Sequence, residues 1–283
     1  MIEIDYTGQH IGEYLLLSQI ARGAFSNVYL AKPRQPFERT VVVKLPHTYL
    51  RSTQEQFVQE AGVLAQLHHP HILLLLENGF YIDHLLPYLV MDYAPGGSLR
   101  ALLTHAAPHL LPTEQALALL TQTGQALHYA HQHHVVHCNL KAENILFNAQ
   151  GEGLLADFEI PPLRSSRSIS VIVPSKNISF YMPKQMLQSA SSEDRDQYAL
   201  GCLAYELFTG RPPFLFDGDW ISMLAQFDMK RKDAPPPAPT QLNPSLLPST
   251  EQALLKAIAE QPDDRWPSIL AFLTALSESM KTT

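Results

Sequence analysis

The chain has 283 residues, 46% of them hydrophobic and 17% charged, with a formal net charge of −7. It is long enough for one large domain or two lobes with a sizeable core, and an acidic balance without a basic stripe gives no footing to a nucleic-acid partner. Its longest wholly apolar runs, such as Ile72 to Leu76, fall far short of the ~20 residues of a membrane helix, and no basic-then-apolar signal pattern opens the chain, so a cytoplasmic protein without a membrane segment is expected. Cys138 and Cys202, the only cysteines, are too few for a disulfide framework and are expected as reduced thiols.

In chain order, Leu15 to Ile20, Ser26 to Ala31 and Thr40 to Leu45 are short β-rich runs bounded by Gly23 and by the Pro33/Pro36 segment, which predicts an antiparallel sheet. Ser52 with Glu55 three residues on forms a capping box, after which Phe57, Glu60, Ala61, Leu64 and Leu67 share one helical face. A lone carboxylate, Glu60, therefore points where the apolar residues point. Ile72 to Leu76 and Tyr88 to Met91 are further strand candidates, and Pro95-Gly96-Gly97 breaks the pattern at an expected lobe boundary.

Beyond that break the chain reads as helical. Ser98 can cap a short helix, and Thr113 a long one with Ala116, Leu119, Leu120, Thr123, Leu127 and Ala130 on one face. Asp196 to Phe208 is nearly all apolar, which predicts a buried central helix. Asp219 to Met229 reads as a helix, followed by a proline-rich loop from Asp233 to Pro248, a helix capped by Ser249 with Gln252, and a last helix from Pro267 to about Met280. The residues after the proline-rich loop are too few to fold alone and stay with the second lobe.

Several polar residues stand out against this background. Ala21-Arg22-Gly23-Ala24-Phe25-Ser26-Asn27-Val28 lies between two strands; taken alone it is an ordinary hairpin. Val41-Val42-Val43-Lys44 ends an apolar strand with a lysine. An edge-strand lysine is ordinarily just solvated, but Glu60 on the apolar face of the next helix needs a buried partner, and Lys44 is the obvious one. His128, His131, His134 and His137 recur every three residues. With no Cys or carboxylate pattern to complete a metal site, they read as imidazoles compatible with a helix C-terminus and with surface exposure.

The segment His137-Cys138-Asn139-Leu140-Lys141-Ala142-Glu143-Asn144 is followed thirteen residues later by Asp157-Phe158-Glu159. Together with Lys44, Glu60 and Asp196, in this order and over roughly Ile11 to Met280, it resembles the catalytic core of the eukaryotic-like (Hanks-type) protein kinases. The resemblance implies an α+β, two-lobed protein-kinase fold: an antiparallel β-sheet N-lobe with one helix (11–91), a hinge (92–97) and a mainly α-helical C-lobe (98–280). It implies ATP and Mg²⁺ as ligands. Lys44 then stands as the phosphate-binding lysine paired with Glu60, Lys141 as a phosphate-contacting lysine, and Asn144 and Asp157 as Mg²⁺ ligands. Ala21, Gly23, Ser26, Val28, Val42, Met91, Asp92, Ala94 and Leu146 line the nucleotide site on the same reading, and Asp196 holds the catalytic loop from below, which its burial would require.

The departures from that family pattern bear on chemistry. Asn139 occupies the position of the catalytic aspartate, and a carboxamide cannot accept a hydroxyl proton; losing a general base typically costs about 10²- to 10⁴-fold. Only Gly23 of the three loop glycines is present, with Ala21 and Ser26 at the others, so backbone N–H groups approach phosphates less closely. Val42 stands where alanine is usual and narrows the adenine slot. Glu159 replaces a glycine beside Asp157, and a like-charge contact with a triphosphate at ~6 Å and an effective dielectric of ~20 costs about 3 kcal/mol. Cys138 replaces the arginine that would read an activation-segment phosphate, and Met182-Pro183-Lys184 sets a lysine where a glutamate should meet Arg265.

Three functions follow: a pseudokinase regulator or scaffold that binds ATP and acts on a protein partner the sequence does not identify, a weakly active serine/threonine kinase, or an interaction domain that binds no nucleotide. Retained Lys44, Asn144 and Asp157 favour nucleotide binding, while Asn139 and Glu159 favour binding over catalysis.

Overall fold

The computed structural model describes residues 5–22, 26–34, 39–46, 54–81, 86–106, 110–160, 193–214 and 235–281. By contact they divide into two units. The first holds the residues up to His68, Ile72–Pro95 and Ile160; the second holds His69–His71, Gly96–Glu159 and the described residues from 193 onward.

The first unit is a six-stranded antiparallel sheet with one helix. Strands β1 (His10–Ile11), β2 (Tyr14–Arg22), β3 (Ser26–Pro33), β4 (Val41–Pro46), β5 (Leu75–Tyr81) and β6 (Leu86–Asp92) lie in the order β1-β2-β3-β4-β6-β5. Tyr29, Val43 and Val90 sit directly opposite one another on β3, β4 and β6. With Ile11, Leu16, Ala31, Val41 and Leu45 they build one buried core, because alternate residues of a strand share a face. The opposite face meets helix α1 (Gln54–Leu64), whose Phe57 and Ala61 pack with Leu75, Leu89 and Ile160. The helix ends before Leu67, which is nonetheless 2% exposed; Ser52 lies outside the described residues.

Strand β5 corrects the sequence reading, which placed a strand over Ile72 to Leu76. The strand starts three residues later and runs through Glu77, Asn78 and Gly79. Side-chain chemistry makes this polar stretch compatible with a strand. Glu77 accepts hydrogen bonds from the hydroxyls of Tyr14 at 2.8 Å and Tyr88 at 3.0 Å, and a Cβ on Gly79 would come within 2.9 Å of the Tyr88 ring, which occupies that space. Burial first, then the bond to Glu77, push both phenols up to about 12.

The second unit is mainly helical. Ser98 caps α2 (Leu99–His105) by accepting from the Ala101 N–H. In α3 (Thr113–Gln132) the expected apolar face is buried throughout, although Thr113 is the first helical residue and not its cap. A 3-10 turn (Ala142–Asn144) leads into the two-stranded ribbon β7 (Ile145–Phe147) and β8 (Gly153–Leu155). Helix α4 (Glu193–Thr209) is buried from Arg195 to Thr209, as its apolar run predicts. The proline-rich loop contains a short helix, α5 (Pro239–Leu242), and leads to α6 (Pro248–Ala257) and α7 (Ile269–Ser279). Ser249 does not cap α6; its hydroxyl donates to the Ser279 carbonyl, while Ser268 caps α7. The helix expected over Asp219 to Met229 lies outside the described residues. No helix among those described is long and apolar enough to cross a membrane.

Two glycines test this packing. Gly201 on α4 faces α6 so closely that a Cβ would meet the Ala257 carbonyl oxygen and Cβ at 2.9 Å, whereas Gly62 on α1 has nothing within 4 Å. Gly201→Ala is expected to lower stability by about 1–3 kcal/mol. Gly62→Ala should raise it by about 0.5–1 kcal/mol through helix propensity. Urea unfolding midpoints that moved in the same direction for both would contradict the helix contact.

Candidate functional site

Strand register alone gathers the first half of the expected site. Ala21 pairs with Val28, Val28 with Lys44, Leu30 with Val42, and Val42 with Met91. Opposed residues share a face, as do residues two apart on one strand. Ala21, Ser26, Val28, Val42, Lys44 and Met91 therefore lie on one face of the sheet, opposite the Tyr29–Val43–Val90 core. Val42 is 7% exposed and Ala94 is buried; Lys44 is half-buried. Asp92 sits opposite Val41, and its carboxylate is ion-paired with Arg39. Gly23 lies outside the described residues.

Glu60 departs from expectation. It is half-buried at the margin of the Phe57–Ala61 stripe, and among the described residues no ion pair joins it to Lys44. A carboxylate that keeps water on one side does not require a buried cation, so the burial argument for that pair no longer holds.

In the second unit the expected catalytic-loop residues are arranged around one buried acid. Asp196, in the first turn of α4, is 1% exposed. Its Oδ2 accepts from the His137 backbone N–H at 2.8 Å and from His131 Nε2 at 2.8 Å, and its Oδ1 accepts from the Cys138 N–H at 2.8 Å. Charge-assisted bonds of this number make a buried carboxylate tolerable. They also hold Cys138 at φ +62, a left-handed conformation that costs a non-glycine residue about 1–2 kcal/mol.

His137 carries the constraint onward. Fully buried, it donates from Nε2 to the Ala156 carbonyl at 3.0 Å and accepts the Asn139 N–H on Nδ1 at 3.1 Å, which fixes a neutral tautomer. Burial lowers its pKa, outweighing the pull of Asp196. His131 and His137 are thus interior hydrogen-bonding groups, although the row is also compatible with exposure by sequence; their imidazoles connect loop, helix and the segment after β8.

The loop then closes on itself. Asn144, 7% exposed, donates its amide to the Asn139 carbonyl at 2.7 Å, and its own carbonyl accepts from the Ala156 N–H at 2.8 Å. Asn139 donates its side-chain amide to Asp157 Oδ2 at 3.0 Å. Asp157 is at φ +66, and Glu159 donates its N–H to the His137 carbonyl at 3.2 Å. Lys141 is half-buried and its carbonyl accepts the Asn144 N–H. Leu146 on β7 opposes Leu154 and bridges to Ser98.

Two arginines complete the picture. Arg265, 4% exposed, donates to the carbonyls of Ala259, Asp194 and Glu260 at 2.8 to 2.9 Å and stacks on Tyr198. Carbonyls and a ring thus receive this cation; Lys184 lies outside the described residues. Arg100 was missed from sequence. Its Nε donates to Glu143 at 2.9 Å and its two terminal nitrogens to Glu206 at 2.7 and 3.2 Å, tying α2 to the catalytic-loop turn and to α4. Burial raises the Glu206 pKa despite the guanidinium. The signal was available: Glu206 is an acid inside the apolar run of α4 and had to be met by a cation.

The comparisons with known proteins agree with this geometry. The family model for the protein kinase domain matches residues 14–274. The chain belongs to the protein kinase family. The chain is 32% identical to the serine/threonine-protein kinase PrkC of Bacillus subtilis over 262 residues, covering 90% of the chain and 38% of that protein. It is 32% identical to the tyrosine-protein kinase MasK of Myxococcus xanthus over 286 residues, covering 95% of the chain and 43% of that protein. The chain thus spans about two fifths of these relatives' length. Its fold matches the crystal structure of the PknI kinase domain of Mycobacterium tuberculosis with a TM-score of 0.75 at 26% identity, covering 96% of this chain and 98% of that one. The kinase fold expected from sequence, with a sheet-rich N-lobe and a helical C-lobe, is the fold found.

Substitutions at Asp196, Arg100 and Glu206 check the interior charges. Asp196→Asn places an amide N–H against a backbone N–H and should cost about 2–4 kcal/mol of unfolding free energy. Arg100→Met leaves Glu206 buried without its cation and should cost a similar amount, while Arg100→Met with Glu206→Leu should recover most of it. A double variant as unstable as the sum of its parts would contradict the pairing.

Proposed function

We propose that this protein kinase domain binds ATP with Mg²⁺ but transfers phosphate poorly, and that it acts as a regulator or scaffold through a protein partner. On this reading residues 11–91 are the N-lobe, 92–97 the hinge and 98–280 the C-lobe. Lys44, Lys141 and the residues on the Val28–Val42–Met91 face serve the nucleotide.

One observation carries the reading. The side chain at position 139 spends an N–H on Asp157, and an amide has no basic lone pair to take the substrate hydroxyl proton. The rest of the loop favours binding. With its Nδ2 committed to the Asn139 carbonyl, Asn144 has the Oδ1 acceptor left to offer. That oxygen and the Asp157 carboxylate form the hard-oxygen donor set that suits Mg²⁺, which usually takes one or two carboxylates with substrate phosphates and water. Bound there, Mg²⁺ would supply charge neutralisation for the phosphates. Glu159, held by its N–H to His137, adds a negative charge near that set and weakens phosphate binding.

A second reading, a slow serine/threonine kinase, draws support from the same frame. His137, Lys141, Asn144, Asp157 and Asp196 are all present, and loose phosphoryl-transfer transition states depend more on positioning than on the base. The relatives include both serine/threonine and tyrosine kinases.

The test is a thermal-shift titration with ATP in Mg²⁺ or Mn²⁺. Binding to the native state raises Tm by mass action, by about 2.7 kcal/mol of apparent stability at a hundredfold excess over Kd. The wild-type protein should show this rise and Lys44→Met should lose most of it. No shift at millimolar ATP would favour an interaction domain that binds no nucleotide; an unchanged shift in Lys44→Met would remove that lysine from the site.

A further inference from the structure

We infer that the segment His69–His71 is an acid-sensitive clasp: its hold on the second unit needs an unprotonated Nδ1 on His69 and is released when that nitrogen takes a proton.

This stretch lies between α1 and β5 of the first unit, yet by contact it belongs to the second. Two bonds hold it there. His71 donates from Nδ1 to the Gly153 carbonyl at 3.1 Å, and its own carbonyl accepts the Leu155 N–H at 2.9 Å. Both partners are on β8, which runs directly into Ala156 and Asp157. A third bond sets the shape of the stretch: His69 Nδ1 accepts the His71 backbone N–H at 3.1 Å. Pro70 between them disfavours a helical backbone at His69. The Tyr129 ring of α3 lies 5.1 Å from the His69 ring and 4.2 Å from that of His133, and the His71 ring is 5.7 Å from His69. Three imidazoles and a phenol thus share one cluster, and among the described residues no carboxylate ion-pairs with His69.

The hydrogen bonds sort these imidazoles by tautomer. A ring nitrogen that faces a carbonyl must carry a proton, whereas one that faces an N–H must lack it. His71 donates from Nδ1 to Gly153, and His133 donates from Nδ1 to the Tyr129 carbonyl at 2.8 Å. Each of these can take a second proton on Nε2 and keep its bond. His69 already carries its proton on Nε2, so a second one must go on Nδ1, where it sets N–H against N–H and places a cation beside His71. Burial, and then the neighbouring His71, lower the His69 pKa from its ordinary 6.5. The unfolded chain therefore binds this proton more readily than the folded one. The clasp contributes fully above the ordinary value of 6.5, and its contribution is lost as the pH falls from there towards the lowered value.

The experiment follows amide hydrogen exchange at His71 and Leu155 in the full chain, without nucleotide, from about pH 8 to about pH 5, the span over which imidazoles titrate. Protection is corrected for intrinsic exchange. His69→Asn is the comparison, because an asparagine side-chain oxygen accepts the N–H two residues on and does not titrate. On acidification the wild type should lose protection at both amides, by about tenfold for each unit by which the folded His69 pKa lies below the unfolded one. His69→Asn should give a flatter profile. His137, which also accepts a backbone N–H on its ring, is common to both proteins, so the difference between them isolates His69. Profiles of equal steepness, or a wild-type profile that stays flat, would overturn the clasp. Should His69→Asn fail to fold, the His69 ring titration of the wild type by NMR decides the question: a midpoint below 6.5 with loss of protection over the same range supports the clasp, and a midpoint at or above 6.5 overturns it.

Discussion

A carboxylate removed from water must be met by donors, and in this protein kinase domain Asp196 is met by three. Two of them are backbone N–H groups of consecutive residues, His137 and Cys138. A side chain rooted in the most buried helix of its unit thereby dictates the path of a loop. From that anchor the constraint passes through the His137 ring to Ala156, through Asn139 and Asn144 back onto the loop, and through the Glu159 N–H to the segment that carries Asp157. Bonds from Asp196 on α4, together with those among the side chains of His137, Asn139 and Asn144 and the segment up to Glu159, hold two non-glycine residues, Cys138 and Asp157, at positive φ. Asn139 stands at the centre of this frame, bonded to His137, Asn144 and Asp157.

A protein-kinase fold does not by itself settle the chemistry that its site performs. The orientation of Asn139 comes from backbone bonds that do not depend on whether its side chain ends in oxygen or nitrogen. The terminal atom of that side chain decides its proton affinity and its charge. Arg265 shows a parallel economy: its guanidinium is received by three carbonyls and the Tyr198 ring.

Much of the architecture was legible in the sequence, and the parts that were not have identifiable causes. The continuous apolar run from Val41 to Val43 and the 3.6-residue stripe of α3 report burial directly, so strands β2 to β4 and helices α3 and α4 were found within a residue or three of their ends. Strand β5 was misplaced because Glu77, Asn78 and Gly79 read as a break; only the two tyrosines that donate to Glu77, one of them 63 positions away, make that stretch a strand. The order of Lys44, Lys141, Asn144, Asp157 and Asp196 gave the family. Spacing could not show that Glu60 stays partly in water, that His131 and His137 face inward, or that Asn139 bonds to Asp157, since each depends on a partner distant in sequence. The acid in the α4 run was the one clue to Arg100, and it was readable by the same reasoning that had been applied to Glu60.

The central claim, that the domain keeps its nucleotide frame but has lost its proton acceptor, is tested most directly by following both properties in one sample. Equilibrium binding of radiolabelled ATP with Mg²⁺ is measured beside single-turnover transfer of its γ-phosphate to the protein itself and to generic hydroxyl-bearing peptides. The account predicts saturable binding with transfer at least ~100-fold below the ~1 s⁻¹ at the low end of ordinary kinase turnover. Transfer at about 1 s⁻¹ or faster from the wild-type chain would contradict it.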